Sequence, residues 1–266
     1  AISHQIKGLE ARLGMPLFRR LNRALLLTEA GQSLFLAVNE ALELMAVAVD
    51  RLHRHDQTGE VTVTTMDSFA ATWLVPHLGR FRKLHPEIDV RLTTSDVSID
   101  FSRESVDLGI RYGYGDWPGL HIEKLMTEEL FPVCSPALLK TGSPINQASD
   151  LSRHTLLHDD MRIDWRMWLM AAGVEGIVDA DRGPSFGHSN LVIQAAIHGD
   201  GIALGRSVLV ATALAEGLLV KPFELALPTN FAYYVVCPEM NLQRPKIKAF
   251  REWLFEEATK KEVSST

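Results

Sequence analysis

VTVTTMDSFAATWLVPHLGRFRKLHPEIDVRLTTSD, residues 61–96, changes hydrophobic period twice within one short stretch. VTVTTM (61–66) alternates and is rich in β-branched residues, which predicts a strand. LVPHLGRFRKLHP (74–86) sets Leu74, Leu78, Phe81 and Leu84 on one face of a helix. IDVRLTTSD (88–96) returns to strand. Two strands joined through a helix pair in parallel, so the stretch predicts a βαβ unit in a mostly parallel sheet. Pro76 places the start of the regular helix near Trp73 or Leu74, because proline suits only the first turn.

The same texture extends to the C-terminus. VDLGIRYG (106–113) reads as a further strand, and TLLHDD (155–160), WRMWLMAAG (165–173), GPSFGHSNLVIQAAIHGDGIALG (183–205) and LVATALAEG (209–217) repeat the alternation. After LLVKPF (218–223) come a strand, AYYVVCPE (232–239), and an amphipathic helix, RPKIKAFREWLFEEATK, with Ile247, Phe250, Trp253 and Leu254 on one side. VTVTTMDSFAA and GPSFGHSNLV share a plan in which a strand is followed by a hydroxyl residue, Ser68 or Ser189, and then by an apolar helix. In an open α/β sheet the carboxyl ends of strands and the helix starts they feed form the ligand crevice. A serine at such a start caps free N–H groups, and the helix dipole there favours an anion.

Upstream, SLFLAVNEALELMAVAVDRLHRHD (33–56) predicts one long helix entered at Thr28, Glu29 and Gln32. Leu34, Val38, Ala41, Met45, Ala48 and Leu52 alternate steps of four and three, the a/d rhythm of a coiled coil, and Phe35, Leu42 and Val49 widen the face. Residues 51–60 are almost wholly polar and predict a hinge. At the front, AISHQIKGLEARLG (1–14) carries a helical stripe of Ile2, Ile6, Leu9 and Leu13, with Ser3, His4, Gln5 and Lys7 turned away from it. Gly14 supplies the stop, and MPLFRRLNRALLLTEAG (15–31) predicts a hairpin.

Charge separates these parts. Residues 1–27 hold Lys7, Arg12, Arg19, Arg20 and Arg23 against Glu10 alone, a net +4, whereas the rest of the chain carries −10. The front is therefore the nucleic-acid candidate. With 266 residues and 46% apolar content the chain can bury a substantial core, and no run approaches a membrane span. Cys134 and Cys237 lie far apart among apolar neighbours, without a CxxC pair, which predicts buried free thiols in a reducing cytoplasm.

Catalytic constellations are missing. There is no GxSxG, HExxH or P-loop, and YGYGDWPG (112–119) has the wrong glycine spacing for a dinucleotide loop. His53 and His55 are two apart on a helix and make a poor metal pair, so neither a metal nor a cofactor is expected.

AISHQIKGLEARLGMPLFRRLNRALLLTEAG resembles the LysR-type transcriptional regulators, from within the recognition helix through the wing to the linker helix. In the body, WLVPHLGRFRKLHPEIDVRL, VDLGIRYGYGDWPGL, LFPVCSPALL and PEMNLQRPKIKAFREWL are similar to the branch of glycine-cleavage activators and β-lactamase regulators. The resemblance implies an α+β multi-domain protein that is not an enzyme. Residues 1–27 become the C-terminal part of a winged helix-turn-helix, 28–57 a dimerising linker helix, and 60–266 an α/β effector domain of two subdomains like type II periplasmic binding proteins. Subdomain I takes about 60–136 and 232–266, and subdomain II about 137–231.

The resemblance further implies DNA contacts at Ser3, His4, Gln5 and Lys7 on the recognition helix and at Arg19, Arg20 and Arg23 on the wing. Glutamine pairs with adenine, while lysine serves guanine or phosphate. Effector contacts map to Ser68, Phe69, Thr94, Ser95, Arg111, Tyr112, Phe186, Ser189, Asn190 and, more weakly, Tyr233. Hydroxyls, helix starts and one arginine suit a small anionic effector. Implied partners are double-stranded DNA, the effector, RNA polymerase and a second or fourth copy of the chain, in the cytoplasm. The recognition helix is expected to lack scaffold helices preceding residue 1, and the 266 residues alone to bind DNA weakly. A solute-binding protein or enzyme sharing the effector fold is the alternative, and it leaves the heptad seam and the arginine-rich hairpin unexplained.

Overall fold

The computed structural model describes residues 2–21, 24–57, 59–97, 101, 105–160 and 163–262. The chain divides into two compact units, Ala1–Gln57 and Thr58–Thr266.

In the first unit, α1 (Ile2–Leu13) ends at Gly14, whose φ of 71° is the left-handed turn that glycine permits. β1 (Phe18–Leu21) and β2 (Ala24–Leu27) form an antiparallel hairpin, and α2 (Glu29–Gln57) follows. Two side chains tie these pieces together. Glu10 Oε1 accepts from the backbone N–H groups of Leu17 (2.8 Å) and Phe18 (3.1 Å), locking the helix to the hairpin. Thr28 Oγ1 donates to the Pro16 carbonyl at 2.8 Å and accepts from Gly31 N at 3.0 Å, capping α2. Gly31 is required there, since a Cβ would lie 2.1 Å from the Leu17 carbonyl oxygen. At 29 residues α2 is about 43 Å long. Of the heptad seam, Leu34 is half-buried, while Val38, Ala41 and Met45 are exposed; the side chains of Ala48 and Leu52 lie outside the described residues. Phe35 and Leu42 in the flanking row are also exposed.

The second unit is built on one seven-stranded sheet of order β4-β3-β5-β9-β6-β8-β7. β3 (Gly59–Thr65) leads into α3 (Asp67–Phe69), a π-helical turn (Ala70–Leu74) and α4 (Val75–Leu84). β4 (Ile88–Thr94), β5 (Leu108–Gly113) and β6 (His121–Val133) come next, followed by α5 (Pro136–Thr141), β7 (Leu156–Leu157) and α6 (Ile163–Ala171). The chain continues through α7 (Ser189–His198), β8 (Ile202–Arg206), α8 (Ser207–Ala215), β9 (Leu227–Cys237) and α9 (Pro245–Glu262).

One sequence expectation changes, the mostly parallel sheet. β3/β4, β3/β5 and β7/β8 are parallel, but β9 is antiparallel to β5 and β6, and β6 is antiparallel to β8. β6 and β9 carry the sheet from the first lobe (β3, β4, β5) to the second (β7, β8). A short helical turn opens at Asp67, and the regular helix starts at Val75 with Leu74 as its cap, where Pro76 in the first turn places it. Pro76 lacks the N–H an uninterrupted ladder needs, and the π turn accommodates it, with Val75 N–H donating to the Ala70 carbonyl.

The main core joins β3, β5 and β9 to α4 and α9, with Phe81 edge-on to Phe250 at 5.1 Å and Trp253 beside both. A second core forms around Trp165, Trp168 and Leu151. Tyr234 and Val236, on the other face of β9, pack with Trp117 of the glycine-rich loop. Both cysteines are buried, and burial pushes their thiols up to about 11, leaving them unreactive.

GPSFGH is held beside β7 by hydrogen bonds from His158 N to the Pro184 carbonyl and from Phe186 N to the His158 carbonyl. Gly183 makes this approach feasible, with φ of 138° and a hypothetical Cβ only 1.8 Å from the Leu156 oxygen. Gly183→Ala is expected to cost at least about 2 kcal/mol, and Phe250→Ala about 3–5 kcal/mol. Urea unfolding of each variant measures both; a loss under about 0.5 kcal/mol at either position contradicts the packing described.

Candidate functional site

Between the two lobes lies a cavity of about 350 Å³. The first lobe supplies Met66, Ser68 and Phe69 after β3, Asp96 after β4, and Tyr112 at the end of β5. The second supplies Asp159 and Asp160 after β7, Gly187, His188 and Ser189 at the start of α7, Arg206 at the end of β8, and Leu209 of α8. Tyr233 of β9 forms part of the floor between them. These are strand ends and helix starts, where an α/β sheet leaves its crevice.

The two serines do not cap their own helices. Neither α3 nor α7 has a side-chain cap from its preceding residue. Instead Ser68 Oγ accepts from Asn190 N at 3.1 Å, so a first-lobe hydroxyl caps the second-lobe helix across the cavity. Ser189 Oγ donates to Asp159 Oδ2 at 2.7 Å. The start of α7 is thereby partly satisfied within the protein and less available to an anion.

Arg206 anchors the floor. Its Nη1 donates to Tyr112 Oη (2.8 Å) and Glu128 Oε1 (3.0 Å), its Nη2 donates to Asp164 Oδ2 (2.7 Å), and Asp159 Oδ2 is 3.9 Å from Nε. The guanidinium also lies over the Tyr112 ring, whose centroid is 5.2 Å away. Burial opposes the charge on Arg206, but Glu128, Tyr112 and Asp164 outweigh it and hold the guanidinium ionised. Burial also pushes the Glu128 and Asp164 carboxyls above the usual carboxylate range, with Arg206 pulling against the shift. Tyr112 and Tyr233 are likewise raised, first by burial and then by Glu128, so both phenols stay neutral hydrogen-bonding groups. Phe69, Tyr233 and Tyr112 pack in series with centroids 4.8 and 4.9 Å apart.

Of the sequence candidates, Ser68, Phe69, Tyr112, Ser189 and Tyr233 line this cavity. Arg111 does not. It neighbours Tyr112 on β5 and so faces the other way, donating to Thr64 Oγ1 and the Ile110 carbonyl, each at 3.2 Å. Thr94 and Ser95 stop short of the lining; Ser95 Oγ accepts from Val97 N in a local turn. Phe186 packs against the main core. Asn190 contributes its backbone N–H to Ser68, while its side-chain oxygen accepts from Leu191 N.

Arg206, Asp96, Asp159, Asp160 and His188 were missed. TLLHDD and IALGRS carry a usable signal, because both set charged residues at the end of a strand or just beyond it. Among the described residues the wall therefore has three carboxylates against one engaged guanidinium, a mixed and largely acidic surface where an anion-binding one was expected. Among the described residues, Asp67, Asp96 and His188 are the group whose ligand atoms cluster closely enough for a metal ion. No helix of the described residues is long and apolar enough to cross a membrane.

In the first unit, His4, Gln5 and Lys7 are exposed on α1, and Arg19 is exposed on β1. The side chains of Ser3 and Arg20, and all of Arg23, lie outside the described residues.

Comparison with known proteins covers both units. Residues 1–32 match the bacterial regulatory helix-turn-helix protein, lysR family, and residues 54–259 match the LysR substrate binding domain. The glycine cleavage system transcriptional activator of Escherichia coli K12 is 45% identical over 258 residues, spanning 97% of this chain and 84% of that protein. The HTH-type transcriptional activator AmpR of Pseudomonas aeruginosa is 33% identical, spanning 97% of this chain and 86% of that one. The crystal structure of that AmpR's effector domain superposes with a TM-score of 0.66 at 30% identity, covering 78% of this chain and 98% of the domain.

Arg206→Met leaves Glu128 and Asp164 buried without their cation, and a loss of about 3–5 kcal/mol is expected at pH 7. The loss is expected to shrink at pH 5, because raised carboxyls take up protons as pH falls and shed the uncompensated charge. Urea midpoints at the two pH values measure this, and a pH-independent loss contradicts the network.

Proposed function

Given that the chain belongs to the LysR family of bacterial helix-turn-helix transcriptional regulators, we propose how its own residues divide the work. Gln5 and Lys7 on the exposed face of α1, with His4 and Ser3, read the major groove, and Arg19, Arg20 and Arg23 grip phosphates beside it. Val38, Ala41 and Met45 on α2, continued by Leu34, Ala48 and Leu52, pair with a second copy in the heptad manner. The dimer, cytoplasmic and engaging RNA polymerase, activates transcription. The name of the Escherichia coli relative makes glycine cleavage promoters the first DNA to try.

The effector occupies the cavity between the lobes. The observation that carries this reading is that both lobes furnish the lining and one hydrogen bond, Ser68 to Asn190, spans it. A ligand bridging two lobes binds one arrangement of them better than another, which is the differential affinity that regulation requires. Asp96, Asp159 and Asp160 favour a compound with an ammonium group, and the Ser68 hydroxyl suits a carboxylate or carbonyl at its other end. A small zwitterionic amino compound meets both conditions.

Gel shifts on promoter DNA at several salt concentrations are expected to show binding that weakens steeply with salt, and Lys7→Ala to reduce the logarithmic salt slope by about one. Gln5→Ala is expected to relax preference for one base position by about 1–3 kcal/mol. Salt-independent binding contradicts the assignment. Titration calorimetry against amino acids, dicarboxylates, purines and cell-wall peptides is expected to favour amino compounds, with Asp159→Asn at least about tenfold weaker. Preference for dicarboxylates, or chemical turnover of any compound, overturns the effector reading.

A further inference from the structure

We propose that Asp67, Asp96 and His188 form a divalent transition-metal site that bridges the two lobes at the mouth of the cavity. Asp67 opens α3 directly after β3, and Asp96 lies two residues beyond β4, so both carboxylates come from the first lobe. His188 immediately precedes α7 in the second lobe. One ring nitrogen and one oxygen from each carboxylate lie within 4.8 Å of one another. The shortest approaches are 3.5 Å, from His188 Nδ1 to Asp96 Oδ2, and 3.8 Å, from His188 Nε2 to Asp67 Oδ2.

Three features favour a metal ion over a simple polar contact. First, one ring nitrogen of His188 and one oxygen of each aspartate already lie within 4.8 Å of one another, close to the roughly 3–3.5 Å that ligand atoms keep around an ion with bonds of about 2.0–2.2 Å. Small rotations of these partly exposed side chains close the shell. Second, neither aspartate has a lysine or arginine partner among the described residues; the imidazole between them is their one ion-pairing group. The neighbouring lining adds Asp159 and Asp160, and the one lysine or arginine lining it among the described residues, Arg206, is already held by Glu128 and Asp164. Third, the donors belong to two lobes, so an ion there adds bonds between lobes already linked by Asn190 N–H to Ser68 and, at the floor, by Arg206 to Tyr112.

The donor set selects the ion. One imidazole and two carboxylates suit Zn²⁺, Mn²⁺ or Co²⁺ rather than Mg²⁺ or Ca²⁺, which prefer oxygen ligands throughout. Three protein ligands leave a position open toward the cavity, where Asp96 and His188 are already part of the lining. The bound ion holds the lobes together and neutralises Asp96 in the acidic wall, so it changes the cavity's affinity for an amino compound. That coupling rests on the effector reading above; the metal site itself does not.

The test uses the full chain, stripped with chelator, with Zn²⁺ and Mn²⁺ alone as probes and Mg²⁺ for comparison. Calorimetry is expected to show one saturable site for Zn²⁺ that His188→Ala and Asp96→Asn each weaken at least about tenfold, together with a rise in melting temperature reversed by chelator. Asp67→Asn serves as a third variant, and far-UV circular dichroism confirms that each is folded. Zn²⁺ binding unchanged in folded His188→Ala and Asp96→Asn protein overturns the proposal, as does no uptake by the wild type at about 100 µM, a level marking very weak affinity. Stability that depends on His188 through pH alone, without metal uptake, also overturns it, since the bridging cation is then a proton. Promoter gel shifts on the stripped protein report separately on the regulator reading, and effector titrations with and without Zn²⁺ report on the coupling.

Discussion

The guanidinium of Arg206 is the contact on which the effector half depends. It ends β8, and from there it binds Tyr112 of β5, Glu128 of β6 and Asp164 of α6, three elements distant in sequence. A buried cation and its carboxylates have each lost water, and they repay that loss only while every partner is in place. The arrangement therefore ties the two lobes to one geometry at the floor of the cavity. Removing any partner strands charge in a low-dielectric setting, so the network specifies shape more than it adds stability. The aromatic series Phe69, Tyr233 and Tyr112 extends this fixed floor into the first lobe.

Above the floor, contacts are sparser and more polar. There Asn190 N–H donates to Ser68 across the lobes, and His188 approaches Asp67 and Asp96 without touching them. A rigid base with a lightly bridged mouth is suited to a domain whose apposition a ligand must alter by a few kcal/mol. The first unit has a comparable division. Glu10 and Thr28 lock helix, hairpin and α2 entry into a fixed corner, while α2 leaves Phe35, Val38, Leu42 and Met45 exposed along its length. A row of exposed apolar residues on a long helix matches the surface that a coiled-coil partner covers.

Helices were the most legible elements. The stripe of Ile247, Phe250, Trp253 and Leu254 is buried as its spacing implied, and Thr28 caps α2 as its position implied. β6 was illegible. HIEKLMTEELFPV has no clean alternation, because two register shifts against β9 break the period and leave Glu128 buried between exposed Thr127 and Glu129. The cavity was half legible. Position after a strand identified Ser68 and Ser189, and the resemblance added Phe69 and Tyr112, but setting Arg111 aside required knowing which face of β5 looks inward. That is set by pairing with β3 and β9, and a one-residue change in strand phase reverses it.

The amino-acid sequence by itself determined the order of parts: a basic helix and hairpin, a helix with a heptad seam, and an alternating α/β body resembling the LysR regulators. These follow from local period, capping and charge, which act over a few residues and leave their mark in the chain. Only the tertiary structure decided that β6 and β9 run antiparallel through both lobes, that Ser68 caps the helix of the opposite lobe, and that the cavity wall is largely acidic. Each of those depends on residues far apart in sequence meeting across the sheet, and long-range pairing is chosen by the packing and electrostatics of the assembled whole rather than by any one segment's pattern.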